Sequence, residues 1–267
     1  MNNIKKPMNQ AIAKYIVIAL MLLDHATETF LASTHPLYVP FRFISRLTAP
    51  TMAYFIAEGY HYTKNVKKYL FRLGIFAAIS CVAYTLFKVG SPIPVHIFDG
   101  NITPPGGRGW IYLASADKTI AFYSMGVIFT LFLGLLNILI WDKGKMHVSV
   151  KIILTLLILY ISNFGDWLYY DVLMCLVFYF LRNDRKKMWL AYSAVMLLYV
   201  FGIMPSNSVT LELAPKFSFY RLGTFLVIPF IELLYNGKPG PKNSFNKWFF
   251  YIFYPAHLLI LYVISRV

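Results

Sequence analysis

The chain has 267 residues, 58% of them hydrophobic and only 13% charged, with a mean hydropathy of +0.59 and a formal net charge of +14 from 25 Lys and Arg against 11 Asp and Glu. A soluble globular chain carries about 25% charged residues, so the composition excludes an ordinary soluble domain and predicts an all-α, polytopic integral membrane helix bundle. The basic excess reads as loop charge that fixes orientation, and the 18% aromatic content as interface belt and packing; no nucleic-acid partner is implied.

A helix crossing the hydrocarbon core needs about 20 mainly apolar residues. Apolar stretches separated by charge or Gly/Pro breaks predict nine spans in one domain over 1–267. They lie near 12–31, 44–61, 69–88, 120–141, 148–163, 167–181, 188–204, 218–235 and 248–265. Lys5, Lys6 and Lys14 ahead of the first run resemble the front of a signal peptide. Asp24, His25 and Glu28 inside that run argue instead for a retained first helix. The second span opens with Arg42 and Arg46, is interrupted by Ala49-Pro50, and ends near Glu58 and His61. Between the third and fourth lies a long Pro/Gly-rich loop, 89–119, which reads either as a lid or substrate-binding loop or as a plain connector. The fifth and sixth are short, with a turn signal at Asn163-Phe-Gly-Asp-Trp167 between them. They read as two short spans or one broken element. Cys81 and Cys175 sit in apolar runs with no metal or disulfide spacing and read as small buried hydrophobes.

Basic residues test this map. With the N-terminus cytoplasmic, the inner side carries Lys5, Lys6 and Lys14; Lys64, Lys67, Lys68 and Arg72; Lys143, Lys145 and Lys151; Arg182, Arg185, Lys186 and Lys187; and Lys238, Lys242 and Lys247. Alternate loops are poor in Lys and Arg. That pattern supports nine spans in a multi-pass bacterial cytoplasmic membrane protein.

Depth follows from the map. Asp24, His25, Glu28, Arg42, Arg46, Asp166, Asp171 and Arg221 fall in the outer half and His257 near the middle, whereas Glu58, Arg72 and Glu232 fall near the inner face. An ionisable residue inside a membrane segment costs roughly 2.5–3.5 kcal/mol and marks a functional site by default. Glu28 is one helical turn from both Asp24 and His25. An imidazole beside a carboxylate is an oriented general base, or a structural hydrogen bond between helices. Arg42 and Arg46, also one turn apart, form a two-pronged site for phosphate or carboxylate, or pair with Asp24 and Glu28. His257, in Phe253-Tyr-Pro-Ala-His257, reads equally as a site member or a structural residue. No His-Glu-x-x-His, serine elbow, phosphate loop or nucleotide fingerprint occurs, so no metal is expected.

Four segments together resemble the TraX family. They are Lys14-Tyr-Ile-Val-Ile-Ala-Leu-Met-Leu-Leu-Asp-His25, Phe43-Ile-Ser-Arg-Leu-Thr-Ala-Pro-Thr-Met-Ala-Tyr-Phe-Ile-Ala-Glu-Gly59, His61-Tyr-Thr-Lys-Asn-Val-Lys-Lys-Tyr-Leu-Phe-Arg-Leu73 and Tyr251-Ile-Phe-Tyr-Pro-Ala-His-Leu258. The similarity is dense over 14–80 and 247–261 and looser between. Ser45-Arg46 stands where the family more often has Gly-Arg. The resemblance implies a membrane acetyltransferase, of the kind that acetylates a conjugative pilin N-terminus, within a wider group of transmembrane acyltransferases that use cytoplasmic acyl-CoA and an essential His. It implies His25 as that residue, with Asp24 beside it, and motif positions at Arg46, Glu58 and His257.

The expectation is therefore transfer of acetyl from acetyl-CoA to an amine or hydroxyl of a pilin-like protein, surface peptide or envelope glycan. His25 serves as general base or transient acetyl carrier, with Asp24 and Glu28 as catalytic companions. Arg42, Arg46, Glu58, Arg72, Asp171, Arg221 and His257 contribute to donor or acceptor binding. Membrane lipid is the surrounding partner, and a homodimer is left open. The rival expectations are a proton-coupled transporter and a non-enzymatic envelope or pilus assembly factor.

Overall fold

The structure, a computed structural model, describes residues 6–93, 95–100, 110–114, 117–123, 125–201, 203–205, 211–213, 219–241 and 243–266. Within the two outer loops, residues 101–109 and 206–210 lie outside this set, as do Lys5, Lys216 and Lys242 of the charge map.

The fold is mostly helical. Helix α1 (Gln10–Phe30) starts at Asn9, whose side chain accepts the Ile12 N–H at 3.0 Å as an N-cap. Ala13, Val17, Met21 and His25 recur every fourth residue and are all buried. That spacing puts His25 on the interior face of α1, while Ile12, Ile16, Leu22 and Phe30 point outward. The expected second span is two helices, α2 (Tyr38–Ser45) and α3 (Thr48–Tyr62). Pro50 lies in the first turn of α3, where its missing N–H costs nothing. Its ring opposes the carbonyl of the fourth residue back, Arg46, so the break falls there and not at Ala49-Pro50 itself.

Helix α4 (Val66–Val89) is capped by Asn65 and stopped by Gly90, which takes a left-handed φ of 73°. Next come α5 (Val127–Lys143), α6 (Val148–Ser162), α7 (Leu168–Phe180) and α8 (Arg185–Val200). The 163–167 turn separates α6 from α7, so these are two short helices rather than one broken element. The expected eighth span is not a regular α-helix. It is a 3-10 segment (Phe219–Leu226), one α-turn, α9 (Val227–Pro229), and a π segment (Phe230–Leu234). Pro229 accounts for the change of winding, since it removes a backbone donor and crowds the preceding turn. Helix α10 (Ser244–Ile264) carries Pro255 internally.

The fold is all-α in its bundle, as expected, with two small sheets, among the described residues, in the segments between helices. Residues 89–123 hold an antiparallel sheet of order β1-β3-β2, from β1 (Val95–Asp99), β2 (Trp110–Ala114) and β3 (Lys118–Tyr123), with Ile97 opposite Ile120. The alternation Val95, Ile97 against His96, Phe98 is strand-like. The span expected to start at 120 is shortened accordingly, and α5 begins at Val127. A short hairpin, β4 (Ile203–Pro205) with β5 (Leu211–Leu213), forms in the other outer loop and trims α8 from its expected end at 204.

Helices α3, α5 and α7 form the centre, with α4 and α10 packed together on one flank. Gly134 on α5 lets Cys175 of α7 approach closely; Cys175 is buried, Cys81 half-buried, and both are free thiols. The outward faces are apolar: Phe71, Ile75, Ile79 and Val82 on α4, Ile153, Leu156 and Leu157 on α6, Ile252, Ile260 and Val263 on α10. Among the described residues α1 and α4 are the helices long and apolar enough to cross a membrane, with shorter apolar helices at Val148–Ser162, Leu168–Phe180 and Trp248–Ile264.

The 3-10 segment packs on α2 through Gly223, where a Cβ would overlap the Phe43 carbonyl oxygen and meet Arg46 Cβ at 3.2 Å. Gly223→Ala is expected to destabilise the protein by about 1–3 kcal/mol, as overpacking does, read from its thermal unfolding in detergent.

Candidate active site

The polar residues of the bundle gather at two levels. At the outer level, α1, α2, α4 and α10 bring together Asp24, His25, Glu28, Arg42, Arg46 and His257. Asp24 is the hub: one carboxylate oxygen lies 3.0 Å from Arg42 Nη1 and the other bonds Arg46 Nη2. Arg42 also reaches Glu28 at 3.4 Å, and Lys88 holds the other Glu28 oxygen at 2.7 Å. The side chains of Arg42, Arg46 and Asp24 are 7, 9 and 16% exposed, so these are interior ion pairs. Arg46 lies over the rings of Trp167 and Tyr220, and Arg42 over Tyr220, which adds cation–π attraction to the pairing. Among the described residues, neither Arg42 Nε nor Arg46 Nε has a hydrogen-bond partner, although both are buried. Two donors therefore remain for an anionic or oxyanionic group.

The companions of His25 differ from expectation. Asp24 and Glu28 are committed to the cations, and the His25 ring is hydrogen-bonded to His257 instead, Nδ1 to Nε2 at 2.9 Å, with the ring centres 5.1 Å apart and the rings nearly coplanar, edge to edge. Phe87 and Tyr254 close on His25 edge-on. Beside it is a cavity of about 30 Å³ bordered by Met21, Asp24, Thr48, Ala49, Val127, Asp166 and Trp167, room for about one water.

At the inner level is a cavity of about 550 Å³ between the starts of α1 and α10 and the end of α3. Lys14 and Arg72 are its cations. Arg72 Nε donates to the Tyr251 hydroxyl at 3.1 Å, and its guanidinium lies over the Tyr251 and Tyr69 rings. Lys14 lies over Phe55 and Phe250. Glu58 accepts from Tyr235 at 2.6 Å and from Gln10 at 3.3 Å, and Gln10 lines the cavity.

Two expected site residues stand apart. Asp171 does not join the arginines: it is buried on the α5–α7 seam, where Thr130 donates to it. Arg221 donates to the Tyr199 carbonyl at 3.2 Å and stacks on that ring. Tyr199 in turn stacks on Trp167. The sequence reading placed Asp166 in the outer half without a role, and it missed Lys14, Lys88, Trp167, Tyr220 and Tyr254 as site members. Lys88 lies in the last turn of an apolar helix, a position that carries a signal; the aromatic residues are lost among many others.

Residues 9–104 and 109–265 match the family described as TraX protein. Among curated proteins, the Probable fimbrial assembly protein FimC, serogroup H1, of Dichelobacter nodosus is 31% identical over 255 residues, which cover 93% of this chain and 92% of that protein. No solved structure matches.

Asp24 neutralises two buried guanidiniums at once. Breaking a buried pair by removing one partner costs about 3–5 kcal/mol, so Asp24→Asn is expected to lose stability on that scale in detergent unfolding. Lys187→Met, which removes an exposed ion pair with Asp184, is expected to change it by less than about 1 kcal/mol.

Proposed function

This chain belongs to the TraX family, and from that premise we propose that it is a multi-pass acetyltransferase of the bacterial cytoplasmic membrane. It crosses the membrane nine times with the N-terminus cytoplasmic, and moves acetyl from cytoplasmic acetyl-CoA to an acceptor presented from outside. The fimbrial description of its relative favours a pilin-like amine as acceptor; an envelope glycan hydroxyl satisfies the same chemistry.

One observation carries the reading: the inner cavity and the His25 pocket lie in line along the same helices. Lys14 of α1 lines the first and His25 the second, about 16 Å apart at 1.5 Å per residue. On α3, Met52 lines the inner cavity and Ala49 the outer pocket; on α5, Ile128 and Val127 do the same. A donor with anionic phosphates on Lys14 and Arg72 and its base against the aromatic wall would direct a slender thioester arm toward His25. Buried Val17, one turn beyond Lys14, stands in the way and would have to move.

In the reaction the acceptor nitrogen or oxygen attacks the acetyl carbon while His25 takes its proton. The C–S bond breaks, and the thiolate leaves and is protonated. The free Nε–H groups of Arg42 and Arg46 would stabilise charge on the thioester oxygen. A non-enzymatic assembly factor is a second reading, favoured by the relative's name alone.

The test uses protein in proteoliposomes with labelled acetyl-CoA and an acceptor peptide, alongside mass spectrometry of envelope proteins from wild-type and deletion strains. Folded His25→Ala should transfer nothing above background. Lys14→Ala and Arg72→Ala should each raise the donor KM about tenfold, roughly 1.4 kcal/mol of binding, with kcat little changed. Wild-type transfer by His25→Ala would refute the catalytic assignment, and pilus assembly undisturbed by that substitution but lost on deletion would favour the assembly factor.

A further inference from the structure

We infer that His257 is a positioning residue that fixes the tautomer of His25 and receives its ring proton during transfer; the transfer step rests on the acetyltransferase reading, whereas the tautomer does not. His257 Nδ1 lies 2.9 Å from the carbonyl oxygen of Phe253. A carbonyl only accepts, so Nδ1 carries the hydrogen and Nε2 of the neutral ring presents its lone pair. That Nε2 lies 2.9 Å from His25 Nδ1. His25 Nδ1 must then be the donor, and His25 Nε2 is left with the lone pair that a base requires.

The packing holds this order in place. The His257 ring lies nearly parallel to Phe253 at 5.1 Å and meets His25 edge to edge in nearly one plane, and Tyr254 abuts both imidazoles edge-on. The charged groups facing the pair are Asp24 and Glu28 from α1, Arg42 from α2, Lys88 from α4 and Asp166 from the 163–167 turn. The first four are paired with one another and Asp166 accepts from the Tyr84 hydroxyl at 2.7 Å, whereas the hydrogen-bond partner of the His25 ring is His257.

Transfer then has a complete proton route. As the acceptor N–H or O–H attacks the acetyl carbon, its proton passes to His25 Nε2. The proton on His25 Nδ1 moves to His257 Nε2, which leaves His25 neutral and His257 holding two ring protons. As the C–S bond breaks, the thiolate takes a proton from His25 Nε2, and His257 returns its own to His25 Nδ1. Acceptor and acetyl thioester become acetylated acceptor and free thiol, with both rings as they began.

Nitrogen NMR of ¹⁵N-histidine protein in nanodiscs, with His25 assigned by its loss in His25→Ala, reads the tautomer without any reaction. His25 should show a protonated Nδ1 and an unprotonated Nε2 in the wild type. His257→Gln keeps an acceptor for His25 Nδ1 and should preserve that pattern. His257→Phe keeps a ring against Phe253 but offers no acceptor, and should abolish it. In transfer assays His257→Phe should lower kcat roughly 10²-fold or more with the donor KM unchanged, and His257→Gln, which accepts the Nδ1 hydrogen bond but cannot take the proton, should recover only part of that loss and stay at least about tenfold below wild type; a wild-type kcat in His257→Gln would overturn the proton transfer to His257 and leave it the tautomer alone. A merely structural His257 would make the two variants alike. An Nε2–H tautomer at His25 in the wild type overturns the inference, as does an unchanged kcat in folded His257→Phe. A wild-type protein with His25 protonated at Nδ1 that transfers no acetyl group supports the pairing and removes the acetyltransferase reading instead.

Discussion

The ion-pair hub at Asp24 is the constraint on which the outer half of the bundle depends. Two guanidiniums cannot sit in an apolar interior unpaired, because the desolvation of each is several kcal/mol. A single carboxylate that meets both, one oxygen each, makes their burial tolerable and pins α2 to α1. Arg46 lies at the break between α2 and α3, so the hub also fixes where α3 starts. Pro50 makes the break and Asp24 receives the arginine displaced by it; Trp167 and Tyr220 then roof the guanidinium. Backbone irregularity of this kind inside a membrane bundle survives only where protein groups satisfy it.

The same constraint explains why His25 has an imidazole for a partner. Asp24 and Glu28 are taken up by Arg42, Arg46 and Lys88, and Asp166 by the Tyr84 hydroxyl. A neutral histidine adds an acceptor to the interior without a charge. Pro255 sits two residues before His257 within α10, and the Phe253 carbonyl, one turn back, takes the side-chain bond that aims the ring. The fold thus holds a charged layer and a hydrogen-bonded imidazole pair side by side, joined through the adjacent residues Asp24 and His25 of α1.

Much of this was legible in the sequence. Each predicted span falls on a helical element, because the 3.6-residue period and the Gly, Pro and Asn boundaries are local signals. Partnership was not. Asp24, His25 and Glu28 share one face of a helix whichever side chains they meet, and the spacing favoured His25 with Glu28. The true partner, His257, is 232 positions away in sequence, and its register depends on how α10 rotates against α1. Asp171 illustrates the same limit: depth put it in the outer half, but rotation turned it to Thr130 on the α5 seam. The strands of the outer loops were hidden by their Gly and Pro content, although β1 and β3 alternate clearly in retrospect.

The two cavities differ in a way that bears on sidedness. The inner one is large and cationic, wide enough for a sizeable anion to dock at its mouth. The outer one admits about a single water and is bordered by charged and aromatic side chains already in contact with one another. On α1, between Lys14 of the inner cavity and Met21 of the outer pocket, Val17 is fully buried, and the Thr48 hydroxyl reaches its carbonyl at 3.4 Å. A bundle open from end to end would leak protons and solutes across the membrane. On the proposed acetyltransferase reading, a closed waist that yields only to a bound donor arm would keep the barrier intact and would place the reacting carbon beside His25 in the dry part of the molecule. There the unpaired Nε–H groups of Arg42 and Arg46 would act with little competition from water. The acceptor would then have to open the His25 pocket from the other side, and the contacts in its way would be those between α2 and the 3-10 segment, whose winding is irregular and whose Gly223 meets the Phe43 backbone.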